Sequence, residues 1–148
     1  REYQYVAANY LKAMQSYLTK DDLPKLERLV VTKSWWDTVD ILDRVVGSLV
    51  ANHLELEEVL LKWSLSDNIW LRRVAIDHQL LRKEKTNVQL MEKILVNNLD
   101  QTEFFINKAI GWALRDYSKT NPEWVARYIE KNKKRMAELS INEASKYL

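Results

Sequence analysis

The sequence predicts an all-α protein built from repeated helical pairs, and three observations lead to this fold class. The chain of 148 residues contains only two glycines and two prolines, so it has few of the residues that strands and tight turns require. Apolar residues make up 47% of the chain and recur at helical spacing along nearly all of it. Trp36, Trp70 and Phe104 follow one another at intervals of 34 residues, which indicates a repeat.

The periodicity predicts nine helices separated by short breaks. Their expected ranges, in order, are 2–19, 22–32, 35–51, 54–65, 68–83, 87–98, 103–118, 121–132 and 137–147. The first is predicted from the periodicity of its apolar residues. Residues that favour helix N-termini precede four of the others: Asp21 before Leu23-Pro24, Ser34 before Trp35-Trp36, Ser66-Asp67 before Asn68, and Asn121 before Pro122.

The 34-residue register supports the helices that lie between these capped ones. Equivalent positions are apolar or aromatic in each unit: Leu42, Ile76 and Ile110; Val46, Leu80 and Leu114; Leu56, Leu90 and Trp124; Leu60, Ile94 and Tyr128. Because one helical pair cannot bury its own apolar faces, neighbouring pairs are expected to stack into a HEAT- or armadillo-like superhelix, an α-solenoid with a concave face. A non-repetitive helical bundle is the alternative, and it is also all-α.

Composition limits the class of protein further. The chain has no cysteine, which excludes disulfides and thiolate metal sites, and no apolar run long enough to cross a membrane. We therefore expect a soluble, cytoplasmic protein of one domain over residues 1–148, with no membrane partner. A net charge of +2 does not by itself indicate nucleic-acid binding. Because helical periodicity begins directly after Arg1, we expect a missing N-terminal portion.

Departures from the repeat mark where a function could be placed. Asp40 occupies the position of Val74 and Lys108, while Trp112 occupies that of Arg44 and His78. Trp36, Asp40, Arg44, Lys108 and Trp112 are therefore expected on one face, with Arg73 at its edge. Indoles, one carboxylate and several cations suit a phosphate-bearing, partly apolar ligand such as nucleic acid. The alternative is that the indoles belong to the core and Asp40 is a solvated charge.

Other chemistries have little support in the sequence. His53 and His78 lack partners at metal-ligand spacing, so no metal site is predicted. Both glycines lie within helical patterns and form neither a P-loop nor a dinucleotide fingerprint, so no cofactor is predicted. The basic run from Lys131 to Arg135 is interpreted as a solvated helix end that could add phosphate contacts.

Three segments resemble a known family in order along the chain. They are Ser34-Trp35-Trp36-Asp37-Thr38-Val39-Asp40, Ser66-Asp67-Asn68-Ile69-Trp70-Leu71-Arg72-Arg73, and the run from Phe104 to Tyr117, which Ser118-Lys119-Thr120-Asn121-Pro122 continues. The resemblance is to the AlkD-type DNA alkylation repair enzymes, bacterial DNA glycosylases with HEAT-like repeats.

The resemblance implies excision of cationic alkylated purines, such as 3-methyladenine and 7-methylguanine, from double-stranded DNA without base flipping, in base excision repair. Carried over to this sequence, Asp40 is the catalytic carboxylate and Trp36 and Trp112 are the two indoles beside the lesion. Arg73 contacts DNA near the lesion, and we add Lys108 and Arg44 as DNA-binding residues. A monomer is expected to bind the duplex in its own groove. Members of that family carry further N-terminal helices, including an aromatic residue at the lesion, which have no counterpart here.

Two other functions stay open at this point. A non-catalytic HEAT-like DNA-binding protein would keep the scaffold without needing a carboxylate such as Asp40 opposite phosphates. A protein-interaction scaffold would have a concave face without a basic bias.

Overall fold

The computed structural model describes residues 2–148, so Arg1, the first residue of the predicted domain, lies outside the described residues. Over residues 2–148 the protein is all-α and has no strand. The α-helices are α1 (Glu2–Ala13), α2 (Leu23–Val31), α3 (Trp36–Asn52), α4 (Glu57–Trp63), α5 (Ile69–Asp77), α6 (Val88–Val96), α7 (Phe104–Ser118), α8 (Pro122–Asn132) and α9 (Glu138–Ala144). Short 3-10 turns occupy Gln15–Tyr17, Lys20–Asp22, Leu54–Leu56 and Lys83–Lys85. No helix within 2–148 is both long enough and apolar enough to cross a membrane.

The chain forms two compact units, one ending at His78 and the other beginning at Gln79. The first unit contains α1 to α5, and the second contains α6 to α9. Whether they act as one domain over residues 1–148 stays a prediction.

Helix α3 is the centre of the first unit, where it packs against α1, α2 and α5. Its buried residues include Val39, Leu42, Val46 and Val50, which follow one another at helical spacing along one side. Burial of one such aliphatic side chain contributes about 1.5–3 kcal/mol, so this side fixes the orientation of α3. Trp36, Asp40 and Arg44 lie outside this buried side and are exposed or partly exposed.

In the second unit, α7 packs against α8 and α9. The contact with α9 is close because Gly111 has no side chain: an added Cβ would lie 2.6 Å from Cβ of Glu143. Ser140 donates a hydrogen bond to the backbone carbonyl of Asn107 at 2.7 Å, which joins the same two helices. Glycine at position 111 therefore determines how near α9 comes to α7.

The helical repeat predicted from Trp36, Trp70 and Phe104 is confirmed. Trp36 and Phe104 are the first residues of α3 and α7, and Trp70 is the second residue of α5. Helices α4, α6 and α8 supply the second member of each pair. The positions equivalent to Leu42 and to Leu60 are buried in all three repeats: Leu42, Ile76 and Ile110; Leu60, Ile94 and Tyr128.

Three predicted helices end three or more residues earlier in the structure than in the sequence-based assignment. The first, predicted over 2–19, ends at Ala13, and the last, predicted over 137–147, ends at Ala144. The helix predicted over 68–83 ends at Asp77 because tertiary hydrogen bonds hold the following backbone in a turn. Asp116 accepts a hydrogen bond from N–H of Leu81 at 2.9 Å, and Leu81 has a φ of 68°.

The capping residues also differ in part from those predicted. Asn121 caps α8 as expected, accepting a hydrogen bond from N–H of Trp124 at 3.1 Å. Asn68, rather than Ser66 or Asp67, caps α5 by accepting from N–H of Trp70 and Leu71. The hydroxyl of Ser34 donates back to the carbonyl of Val30, so Ser34 ends α2 instead of capping α3.

Candidate active site

The first turn of α3 presents Trp36 at the surface, where 46% of the residue is exposed. The preceding residue, Trp35, meets the ring of Trp70 edge-on, with centroids 6.0 Å apart and planes at 61°. Thr38 donates from Oγ1 to the carbonyl of Trp35 at 3.1 Å and is itself buried. These contacts fix the start of α3, so Trp36 is an exposed indole on a rigid element and does not belong to the core.

Asp40 lies one turn further along α3, and its side chain is 23% exposed. Arg73 of α5 donates two hydrogen bonds to it: Nε to Oδ1 at 2.9 Å and Nη2 to Oδ2 at 3.1 Å. This bidentate pair orients the carboxylate, because both of its oxygens are held by one planar guanidinium. The carboxylate is therefore both fixed in position and partly open to solvent.

Arg73 is 1% exposed, which is unusual for an arginine. Burial lowers its pKa, but the hydrogen bonds to Asp40 and the charges of Asp77, Asp40 and Asp43 raise it more, so the net shift is upward. The guanidinium stays charged. Its Nε and Nη2 donate to Asp40 and its side chain is buried, so in this structure it supports the carboxylate. A contact between Arg73 and DNA stays a prediction.

Arg44 follows Asp40 by one turn, so Trp36, Asp40 and Arg44 lie along the same side of α3. The Arg44 side chain is 37% exposed, and its Nε lies 3.7 Å from Oδ1 of Asp43. The predicted shared face is thus present within the first unit for these three residues. It combines an indole, a carboxylate and a cation.

In the second unit, α7 carries Lys108 and Trp112 one turn apart. Nζ of Lys108 lies 5.7 Å from the centre of the Trp112 ring, a cation–π contact, and donates to Oε1 of Glu143 at 2.8 Å. Arg115 and Lys146 also donate to Glu143, at 3.1 Å and 3.2 Å. Three cations around one carboxylate leave a local excess of positive charge beside Trp112. The hydrogen bond from Lys108 outweighs burial and lowers the pKa of Glu143.

The two histidines and the basic run from Lys131 to Arg135 have partners close to them in the structure. His53 lies near Glu55, and Nδ1 of the buried His78 lies 2.6 Å from the carbonyl oxygen of Ala75. Within the basic run, Lys133 is paired with Glu130 and Arg135 with Asp100, each at 2.9 Å. These pairs support the interpretation of the run as a solvated, ion-paired helix end.

Two functional candidates were not found from the sequence. Asp43 and Asp77 are buried, with 3% and 1% exposure, and their carboxyl oxygens lie with that of Asp40 within 4.8 Å of one another. Among residues 2–148 this is a group of acids close enough to hold a metal ion, but the guanidinium of Arg73 already supplies positive charge there. The available signal was the repeat itself, because Asp43 and Asp77 are 34 residues apart.

The family described as "DNA alkylation repair enzyme" matches residues 1–148. The chain belongs to that family. No curated protein matches it.

A solved structure titled as a predicted DNA alkylation repair enzyme from Enterococcus faecalis is similar to this chain, with 40% identity and a TM-score of 0.91. The match covers 100% of this chain and 69% of that one. The AlkD-like resemblance and the all-α repeat fold inferred from the sequence are thereby confirmed. Membership of the DNA alkylation repair enzyme family indicates an enzyme of DNA repair with DNA as its partner.

Proposed function

We propose that this DNA alkylation repair enzyme is a glycosylase that removes cationic alkylated purines, of the 3-methyladenine and 7-methylguanine type, from duplex DNA. The observation that carries the proposal is the Asp40 carboxylate, held by a buried arginine and partly exposed beside an exposed indole. A carboxylate so placed has no use in gripping phosphates, which it repels. It suits a reaction in which positive charge develops nearby.

The reaction needs little acid catalysis because the leaving base is already cationic. When the bond between sugar C1′ and the purine nitrogen breaks, its electron pair goes to the base, which leaves neutral, and the sugar becomes oxocarbenium-like. Asp40 stabilises that charge electrostatically. It also accepts a proton from the water whose oxygen attacks C1′, and then releases the proton to solvent. The products are the free base and an abasic site.

Arg73 is assigned a positioning role in this reaction. A single carboxylate on a helix could rotate, and two hydrogen bonds from one guanidinium remove that freedom. Because Arg73 is buried, the Asp40 orientation is set before substrate arrives. In this proposal Arg73 therefore acts through the carboxylate and not through a phosphate.

The indoles and surface cations complete the proposal. The exposed ring of Trp36 provides an electron-rich face for a cationic sugar or base. The AlkD resemblance assigns Trp112 as a second indole at the lesion, and we retain that assignment. Lys108, which lies over the Trp112 ring, and Arg44 are assigned to backbone phosphates. By the same resemblance, the damaged base is excised without being flipped into a pocket.

The test is release of base from a duplex carrying one 7-methylguanine, with the 148-residue chain in large excess over DNA so that weak binding does not limit the result. Abasic sites are scored by alkaline cleavage. Wild-type protein is expected to produce them, whereas Asp40→Asn is not, although it binds DNA equally well. If the wild-type chain binds the duplex but leaves no abasic site, the glycosylase proposal fails and a non-catalytic DNA-binding protein replaces it.

A further inference from the structure

Behind the Asp40–Arg73 pair lie two acids to which no role has been given so far. Asp43 faces inward from α3 and Asp77 from α5, with 3% and 1% exposure. With Asp40 they bring three carboxyl groups within 4.8 Å of one another. Charged carboxylates at this distance repel one another strongly in a buried setting, which disfavours the ionised forms of the two buried acids.

Three of the four carboxyl oxygens of the two inner acids have no hydrogen-bond donor. Neither oxygen of Asp77 accepts a hydrogen bond, and neither does Oδ1 of Asp43. Arg73 Nε is 3.8 Å from Asp77 Oδ2, and Arg44 Nε is 3.7 Å from Asp43 Oδ1; both distances are longer than a hydrogen bond. Because an ionised carboxylate without donors is costly to bury, this geometry favours at least one protonated acid.

Arg73 is placed between competing acceptors. Its Nε donates to Asp40 Oδ1 at 2.9 Å, and the same Nε is 3.8 Å from Asp77 Oδ2. One N–H cannot donate fully to both. The charge on Asp77 therefore decides how strongly this N–H is drawn from Asp40, since an anion attracts the guanidinium much more than a neutral acid does.

The directions of the pKa shifts agree with this geometry. Burial, with the charges of Asp77 and Asp40, raises the pKa of Asp43 well above its usual range. Burial also raises the pKa of Asp77 to about 7, against the opposing effect of Arg73.

The charged groups that act on the two acids come from α3 and α5. They are Asp40, Arg44 and Arg73, together with the acids themselves. Among the described residues, α1, α2 and α4, which also pack in this unit, form no ion pair with Asp43 or Asp77. His78, the next residue of α5, directs Nδ1 to the carbonyl of Ala75. The charges that raise or lower the pKa of Asp43 and Asp77 therefore come from α3 and α5.

We propose that Asp77, with Asp43, is a further positioning element of the active site: the two acids hold protons behind Asp40, and deprotonation of Asp77 draws the Nε–H of Arg73 away from Asp40. This inference rests on the proposed glycosylase function. The proton goes to solvent, and no bond to DNA is made or broken. Deprotonation leaves the site one charge more negative and Oδ1 of Asp40 free to accept a proton from water, while the bond from Nη2 of Arg73 to Oδ2 still orients the carboxylate. Excision therefore speeds up as Asp77 ionises.

Two measurements on the 148-residue chain test this inference. Carboxyl carbon NMR follows the ionisation of Asp77, and the Nε–Hε signal of Arg73 follows its hydrogen bond, without any DNA present. Both are expected to shift with a midpoint near pH 7 in wild-type protein. In Asp77→Asn, the Arg73 signal should stay constant across the same range. Asp21→Asn, the same change at an exposed position of the same unit, is the matched control and should behave as wild type.

The second measurement is the single-turnover excision rate against pH. The wild-type rate is expected to rise of order tenfold between about pH 6 and about pH 8, as one negative charge is added near the reaction centre. Asp77→Asn should remove this rise and keep the slow, low-pH rate. Asp21→Asn should retain it.

The outcomes separate the inference from the proposed function. If no carboxyl group titrates near neutral pH in wild-type protein, or the Arg73 signal does not follow it, the inference is wrong whatever the activity. If both signals titrate but Asp77→Asn keeps the wild-type pH–rate profile, Asp77 does not act on catalysis and the glycosylase proposal is unaffected. If the wild-type protein excises nothing, the glycosylase proposal fails, and the catalytic part of the inference fails with it.

Discussion

Arg73 holds Asp40 by two hydrogen bonds, of 2.9 Å and 3.1 Å, that run between helices α5 and α3 of the first unit. The arginine is buried and the aspartate is partly exposed, so the pair has a fixed inner end and a chemically accessible outer end. This is the arrangement expected when one residue reacts and the other orients it.

Asp40→Asn keeps the shape of the side chain and removes its charge. The excision rate in a single turnover should fall by at least about 10²–10³-fold, the usual loss when one preorganised electrostatic group is removed. DNA binding should change little, because a carboxylate does not attract phosphates. Fluorescence anisotropy gives the affinity, and quenched-time assays give the rate. An Asn variant that excises at the wild-type rate would exclude Asp40 as the catalytic carboxylate.

Arg73→Lys preserves the positive charge but loses the planar pair of donors. We expect a slower excision rate with an unchanged dependence of DNA affinity on salt, since in the proposed role the buried guanidinium supports Asp40 and not a phosphate. Arg73→Ala should in addition destabilise the protein by about 3–5 kcal/mol, because it leaves buried acids without their cation. Urea unfolding measures the loss of stability in Arg73→Ala. A salt slope reduced by about one phosphate contact in Arg73→Lys would return Arg73 to the DNA interface.

Lys108→Ala should affect DNA binding and not the excision rate, the reverse of the result expected for Arg73→Lys. Because Lys108 is partly exposed and is assigned to a phosphate, its loss should weaken DNA binding and reduce the slope of log K against log salt by about 0.9. The excision rate at saturating protein should remain close to that of wild type. Lys62→Ala, on the exposed side of α4, is the control for removal of one lysine. Equal salt slopes for wild type and Lys108→Ala would contradict the assignment.

Gly47→Ala tests a close approach inside the first unit. A Cβ at position 47 would lie 2.2 Å from the backbone carbonyl oxygen of His78, which cannot move without shifting the end of α5. The substitution should lower the free energy of unfolding by about 1–3 kcal/mol, as overpacking does. Ser48→Ala, at the next and half-exposed position, should change it by less than about 0.5 kcal/mol. Equal stability of the two variants would mean that α3 at position 47 does not approach the backbone of His78 as closely as the structure shows.

The buried acids predict how stability depends on pH. Burial raises the pKa of Asp77 from 3.8 to about 7, so the folded protein holds this proton more tightly than the unfolded chain does. The free energy of unfolding should therefore decrease as pH rises from about 4 to about 7, by up to about 1.4 kcal/mol per pH unit for one such group. Asp77→Asn should make this decline shallower. A wild-type profile that is flat over this range in urea titrations would contradict a raised pKa for the buried Asp77.

The helical repeat and the position of Trp36 and Asp40 on one helical side were predictable, because both depend on spacing along the chain. The 34-residue register and the cap at Asn121 are local signals of this kind, and the structure agrees with both. The end of α5 was not predictable, since the turn after Asp77 depends on the hydrogen bond between Leu81 and Asp116, which are distant in sequence.

The same distinction holds for the site. By itself the sequence determined the all-α class, the repeat and the residue types that resemble a DNA alkylation repair enzyme, because composition, periodicity and motif order need no third dimension. Only the tertiary structure decided that Arg73 turns inward to Asp40 and that Asp43 and Asp77 are buried behind them. Whether a charge meets solvent or another charge is set by the packing of α3 on α5, which residue spacing within either helix does not specify.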